Sequence, residues 1–105
     1  MAAEPDSQTL ASAIDELTRR GFTESLAVVG NELRAAKTQK AFRPDEVVIR
    51  EVRRFEGVSD PDDMSVVYAI EAGGGVRGTL VDAYGVYSDP AVSAFVSQVP
   101  MRRSP

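Results

Sequence analysis

Four carboxylates crowd one short stretch of this chain, Glu56, Asp60, Asp62 and Asp63, and hard cations such as magnesium or calcium take oxygen ligands of that kind. Ser59, Asp60 and Pro61 are also turn-forming residues, and Asp side chains bond their own backbone in turns. The twelve-residue calcium-loop pattern is absent, so the stretch reads as a turn and no metal site is assigned. Gly73, Gly74 and Gly75 are a second feature. Gly-rich loops hold phosphates when they follow a strand and open a helix. Here they fall between two strand-like runs, and Gly75-Val76-Arg77-Gly78 matches neither the dinucleotide fingerprint nor the P-loop. They read as a hairpin turn.

The third feature is Leu80 through Asp89. Strand alternation puts Leu80, Asp82, Tyr84 and Val86 on one face, so Asp82 sits among apolar neighbours. A buried carboxylate needs a partner or a shifted pKa, and such groups gather at functional sites as well as in structural ion pairs. Arg53, Arg54 and Tyr68 are the candidate partners. Asp82 and Tyr84 are thus the best candidates for catalysis, and Arg54, Asp62, Asp63, Tyr68, Asp82, Tyr84 and Tyr87 for ligand binding.

Composition narrows the chemistry. The chain has no Cys and no His, which removes thiol nucleophiles, His-based triads and imidazole or thiolate metal ligation. No cofactor is expected, and an enzyme becomes less favoured than a binding protein. Twelve basic against 16 acidic residues give a net charge of -4, against the basic excess that draws proteins to nucleic acid. No apolar run approaches the roughly 18 residues of a membrane span. The start lacks a basic and apolar leader, so the expected location is cytoplasmic. At 105 residues the expectation is one domain over residues 7–99, with disordered tails at 1–6 and 100–105.

The elements that must position these residues follow from periodicity. Leu10, Ala13, Ile14 and Leu17 make a helical stripe that predicts a helix from about 8 to 20, with Ser7 or Thr9 to cap it. Gly21 follows as the left-handed cap, with Phe22 packing back on Leu17. Residues 25–36 fit a helical stripe or a hairpin turning at Gly30-Asn31; the cost of that pair inside a helix favours the hairpin. Residues 37–40 read as a loop and 43–46 as a turn. Val47–Phe55 reads as a strand with Ile49, Glu51, Arg53 and Phe55 on one face. Met64–Ala72 reads as a second strand, apolar on both faces. Val76–Val86 returns antiparallel to it, because so short a link excludes a parallel crossover. Asp89 caps and Pro90 opens a last helix carrying Val92, Phe95, Val96 and Val99.

The runs Arg54-Phe55-Glu56-Gly57, Ser59-Asp60-Pro61-Asp62-Asp63, Ser65-Val66, Tyr68-Ala69-Ile70 and Gly78 through Tyr87 resemble a family of small bacterial proteins of this length often labelled "phosphoribosylpyrophosphate synthetase". The resemblance covers most of residues 9–99 and is specific from 54 to 87. Synthetases of that name are about three times longer, as a two-lobed enzyme holding ATP and a sugar phosphate requires. Their phosphoribosyl loop joins two acidic residues to a Thr and Gly run directly after a strand. Here Asp62-Asp63 is followed by Met64-Ser65, so no catalytic residue carries over.

The expected architecture is α+β: an antiparallel sheet of three to five strands with the N-terminal and C-terminal helices packed on one face. Central strands that are apolar on both sides then need a cover for the second face, such as a second subunit or another protein. The leading functional expectation is a non-enzymatic binding or regulatory module acting through a sheet face or oligomer interface. The alternative is a phosphate- or sugar-binding protein or carboxylate-based enzyme centred on Asp82.

Overall fold

The computed structural model describes residues 10–55, 65–83 and 89–99. Helix α1 spans Leu10–Arg19 and α2 spans Pro90–Ser97; strands β1 Glu24–Val29, β2 Glu32–Ala35, β3 Ala41–Phe42, β4 Val47–Phe55, β5 Ser65–Ala72 and β6 Arg77–Ala83 form a single sheet in the order β3-β2-β1-β6-β5-β4. The expected carboxylate turn, Glu56 to Asp63, and the end of the third strand at Tyr84 to Val86 lie outside the described residues.

Local signals explain most of these elements. The α1 stripe buries Ala13 and Leu17. The helix closes with paired bonds in which Phe22 N–H donates to the Leu17 carbonyl at 3.0 Å and Gly21 N–H to that of Thr18 at 3.1 Å. Gly21 sits at φ 105°, a conformation an L side chain resists. The hairpin reading of 25–36 holds: Val29 pairs with Glu32 across Gly30 at φ 64°. At the other end, the Asp89 carboxylate accepts from Ala91 N–H at 2.9 Å, with Pro90 in the first turn of α2. That is the cap and opening residue expected.

Three expectations need correction. The sheet has six strands, not three to five, because β3 is only two residues long and leaves no periodic trace. It is mixed rather than antiparallel, because β1 runs parallel to β6 with Leu26 beside Leu80. Those strands are far apart in sequence, so the chain between them supplies the crossover that a parallel pair requires. The helices lie on opposite faces, not on one. On β5, Ile70 and Ala72 join Leu26, Leu80, Val92 and Phe95 beneath α2, whereas Val67 and Ala69 join Leu17 and Phe22 beneath α1. A strand that is apolar on both sides is thereby covered within one chain, and the second subunit invoked for β5 is unnecessary.

A bulge corrects the reading of β4 as well. Ile49 pairs with Ile70, but the next pair is Glu51 with Ala69, leaving Arg50 as an extra residue. A bulge reverses the parity of everything after it. Val47 and Ile49 therefore pack on the α2 side while Phe55 packs with the α1 cluster. The simple alternation that put Ile49 and Phe55 on one face fails at Arg50.

Candidate functional site

Three of the sequence-predicted site residues are brought together. Val66 lies directly opposite Arg54 on one neighbour and Asp82 on the other, and Tyr68 follows on the same face, opposite Val52 and Leu80. Burial, followed by the Asp82 charge, raises the Tyr68 hydroxyl pKa above its ordinary value, with Arg54 opposing. Asp82 is half-buried and Arg54 exposed. Both carboxylate oxygens of Asp82 accept from the backbone N–H of Asp89, at 3.2 and 3.4 Å. Asp82 therefore holds the chain just ahead of α2 against β6, which gives the carboxylate a structural duty. Asp62, Asp63, Tyr84 and Tyr87 lie outside the described residues. Among the described residues no group of three His, Cys, Asp or Glu side chains is placed to hold a metal. The glycines turn β5 into β6, with Gly74 at φ 76° and Gly75 at φ 80°, and a strand follows them.

Among the described residues, cover on the α1 side of the sheet is only partial. Helix α1 lies over β5 and β6, and the neighbouring strands β1 to β3 extend past it on the same face. Alternation from the Ser25–Thr79 and Leu26–Leu80 pairs places Ser25, Ala27 and Val29 on this open half, next to Val81 of β6. Val29 is 48% and Val81 40% exposed, the two large hydrophobic residues so exposed among the described ones. Ser25 and Ala27 are exposed beside them. Arg34 lies opposite Ala27, and Glu32 opposite Val29, so both charges share this face. The Nε of Arg34 is buried without a hydrogen-bond partner, as is Oε1 of Glu24 at the start of β1. An unpaired buried polar atom costs about 1–3 kcal/mol.

Beside α1 a set of ion pairs ties the helix to the edge strand. Arg53 donates to both carboxylate oxygens of Glu16 at 3.0 Å and also to Glu51. Arg20 donates to Glu51 at 3.0 Å. Burial pushes the Glu51 carboxyl up, yet the bonds and charges of Arg53 and Arg20 outweigh it and hold that group below its ordinary value. The bond to Glu16, with the further bond to Glu51, outweighs burial and raises the Arg53 pKa, so its guanidinium stays charged. Arg53 was a candidate partner for Asp82, but the bulge turns it to the other face.

Sequence reasoning missed the open half-face. The signal was present in β1, where Leu26 and Val28 alternate with Ala27 and Val29 and both sets are apolar. In comparison with known proteins, no family model, no curated protein and no solved structure matches the chain. No helix among the described residues is long and apolar enough to cross a membrane.

Proposed function

We propose that this protein is a non-enzymatic binding module that associates reversibly with a second copy of itself through the open half of the α1-side sheet face. The observation that carries this reading is the grouping of exposed Val29 and Val81 with exposed Ala27 on one face of the sheet that no other described element covers. Glu32 and Arg34, two residues apart on the same face of β2, supply the complementarity. A two-fold axis between two such faces sets each Glu32 against the partner's Arg34, the self-complementary arrangement of an isologous interface.

The size of the face decides how tight the association is. Strands about 4.8 Å apart and about 3.3 Å per residue give the β6-β1-β2-β3 half a footprint of roughly 300 Å². Stable interfaces bury about 800 Å² per partner. The contact is therefore transient and concentration-dependent, in keeping with a regulatory or assembling role rather than an obligate dimer.

Sedimentation equilibrium across a concentration series tests this. The native chain should pass from monomer toward dimer as concentration rises to about 1 mM, the scale of a weak contact. Val29→Lys should abolish the transition without lowering stability, since the side chain is half exposed. Glu32→Arg and Arg34→Glu should each weaken it and restore it when combined. A native chain that stays monomeric throughout the series overturns the reading.

A further inference from the structure

A different surface supports a ligand site. On β5, α1 covers Val67 and Ala69, but the next residue on that face, Glu71, lies beyond the helix end. The turn at Gly21 drops the chain onto Phe22 there, leaving an open cleft of about 500 Å³. Three arginines from three elements line it: Arg20 just past α1, Arg50 at the β4 bulge and Arg77 at the start of β6. Among the described residues the carboxylates that share the lining are Glu51 and Glu71.

The glutamates orient the arginines. Arg77 Nε donates to Glu71 at 2.8 Å, Arg50 Nε lies 3.9 Å from the other Glu71 oxygen, and Arg20 Nη1 donates to Glu51 at 3.0 Å. Arg77 is further held over the Phe22 ring, 5.8 Å from its centroid, a cation–π placement. Among the described lining residues three guanidiniums stand beside two carboxylates, with Glu16 a further 3.9 Å from Arg20, and each guanidinium presents its N–H donors in a planar fork. The described lining thus has one more basic than acidic side chain in a chain of net charge -4, and its volume falls in the usual range for small-ligand sites, about 300–1,000 Å³.

We propose that this cleft binds a small, multiply charged organic or inorganic oxyanion, held by the guanidiniums of Arg20, Arg50 and Arg77. Planar guanidiniums recognise phosphate and carboxylate oxygens through paired N–H bonds. Because the site stands apart from Val29 and Val81, it binds with or without self-association.

The test uses the full chain at low salt, with pyrophosphate and citrate as separate probes and sodium chloride of matched ionic strength as the control. The readout is the arginine side-chain Nε–H signals in NMR spectra. The expected result is a saturable shift of the Arg20, Arg50 and Arg77 signals with at least one probe. Arg77→Met should weaken that binding about tenfold or more, whereas Lys40→Met, the same loss of charge at a remote exposed site, should leave it unchanged. A stronger response to pyrophosphate identifies phosphate chemistry, and one to citrate carboxylate chemistry. Shifts that chloride reproduces, or that Lys40→Met weakens as much as Arg77→Met does, overturn the proposal.

Discussion

Replacing Gly78 with alanine probes a place where two backbones come too close for a side chain. An alanine Cβ at this position falls 2.4 Å from the Glu24 carbonyl oxygen, 2.8 Å from its Cβ and 2.9 Å from its carbonyl carbon. Carbon atoms at rest stand about 3.5–4.0 Å apart, and the obstacle here is backbone that cannot swing aside. Gly78 does not have a positive φ, so alanine is sterically allowed by its own torsions. Elsewhere such a change stabilises a protein by about 0.4–1 kcal/mol through the unfolded chain. Overpacking costs about 1–3 kcal/mol, and a rigid backbone obstacle belongs at the upper end. The net expectation is a loss of roughly 2 kcal/mol, out of a total of about 5–15 kcal/mol for a domain of this kind. At about 4–8 °C per kcal/mol, the melting point should fall by roughly 10 °C. Gly73 is the matched control, since nothing lies within 4 Å of its Cβ position and its φ is not positive. Gly73→Ala should be neutral or slightly stabilising. Urea unfolding of both variants measures the difference. A Gly78→Ala protein as stable as Gly73→Ala would refute the close approach of β1 and β6, and with it the placing of Val81 beside Ala27.

Two further predictions concern titration. The Glu51 carboxyl lies below its ordinary value near 4.5, with the Arg53 and Arg20 hydrogen bonds outweighing burial. Its contribution to stability is therefore present above that value and lost as pH falls through the lower, folded one. Glu51→Gln should flatten the acid limb of the urea midpoint plotted against pH below about 4.5, and a limb as steep as that of the native chain counts against the ion-pair assignment. For Tyr68, burial first and the Asp82 charge second raise the hydroxyl pKa. Asp82→Asn should lower the Tyr68 phenolate transition, isolated by difference against Tyr68→Phe in ultraviolet titration. An unchanged transition would show that Asp82 does not face Tyr68.

Much of the fold was legible because local rules and tertiary demand agreed. The Gly21 cap with Phe22 on Leu17, the Gly30 hairpin, the Asp89-Pro90 start of α2 and the antiparallel return after Gly75 all rest on interactions within a few residues. Strand β3 was invisible because two residues carry no period. The parallel β1–β6 pair was invisible because nothing local records a partner so distant in sequence. Helix placement failed for an instructive reason: the doubly apolar β5 was recognised, but its second cover was sought outside the chain when α1 was available to supply it. For the candidate site, Tyr68 and Arg54, two of the three partners named for Asp82, do share its face of the sheet. Arg53 was misplaced because a bulge at Arg50 reverses the count and leaves no mark in composition. The arginine cleft was unreadable, since Arg20, Arg50 and Arg77 converge only once the Gly21 turn, the bulge and the β5–β6 hairpin are all in place.

The parallel seam between β1 and β6 has a consequence for how the chain is made. The N-terminal hairpin and β3 can close as soon as Phe42 is available, yet the strand that covers the other edge of β1 is complete only at Ala83. At roughly 5–20 residues per second, the forty or so residues between them take on the order of two to eight seconds to synthesise. Throughout that interval the nascent chain presents β1 as a bare, apolar strand edge, the kind of edge that invites pairing with a neighbouring chain. Pairing with Arg77 to Ala83 closes that edge.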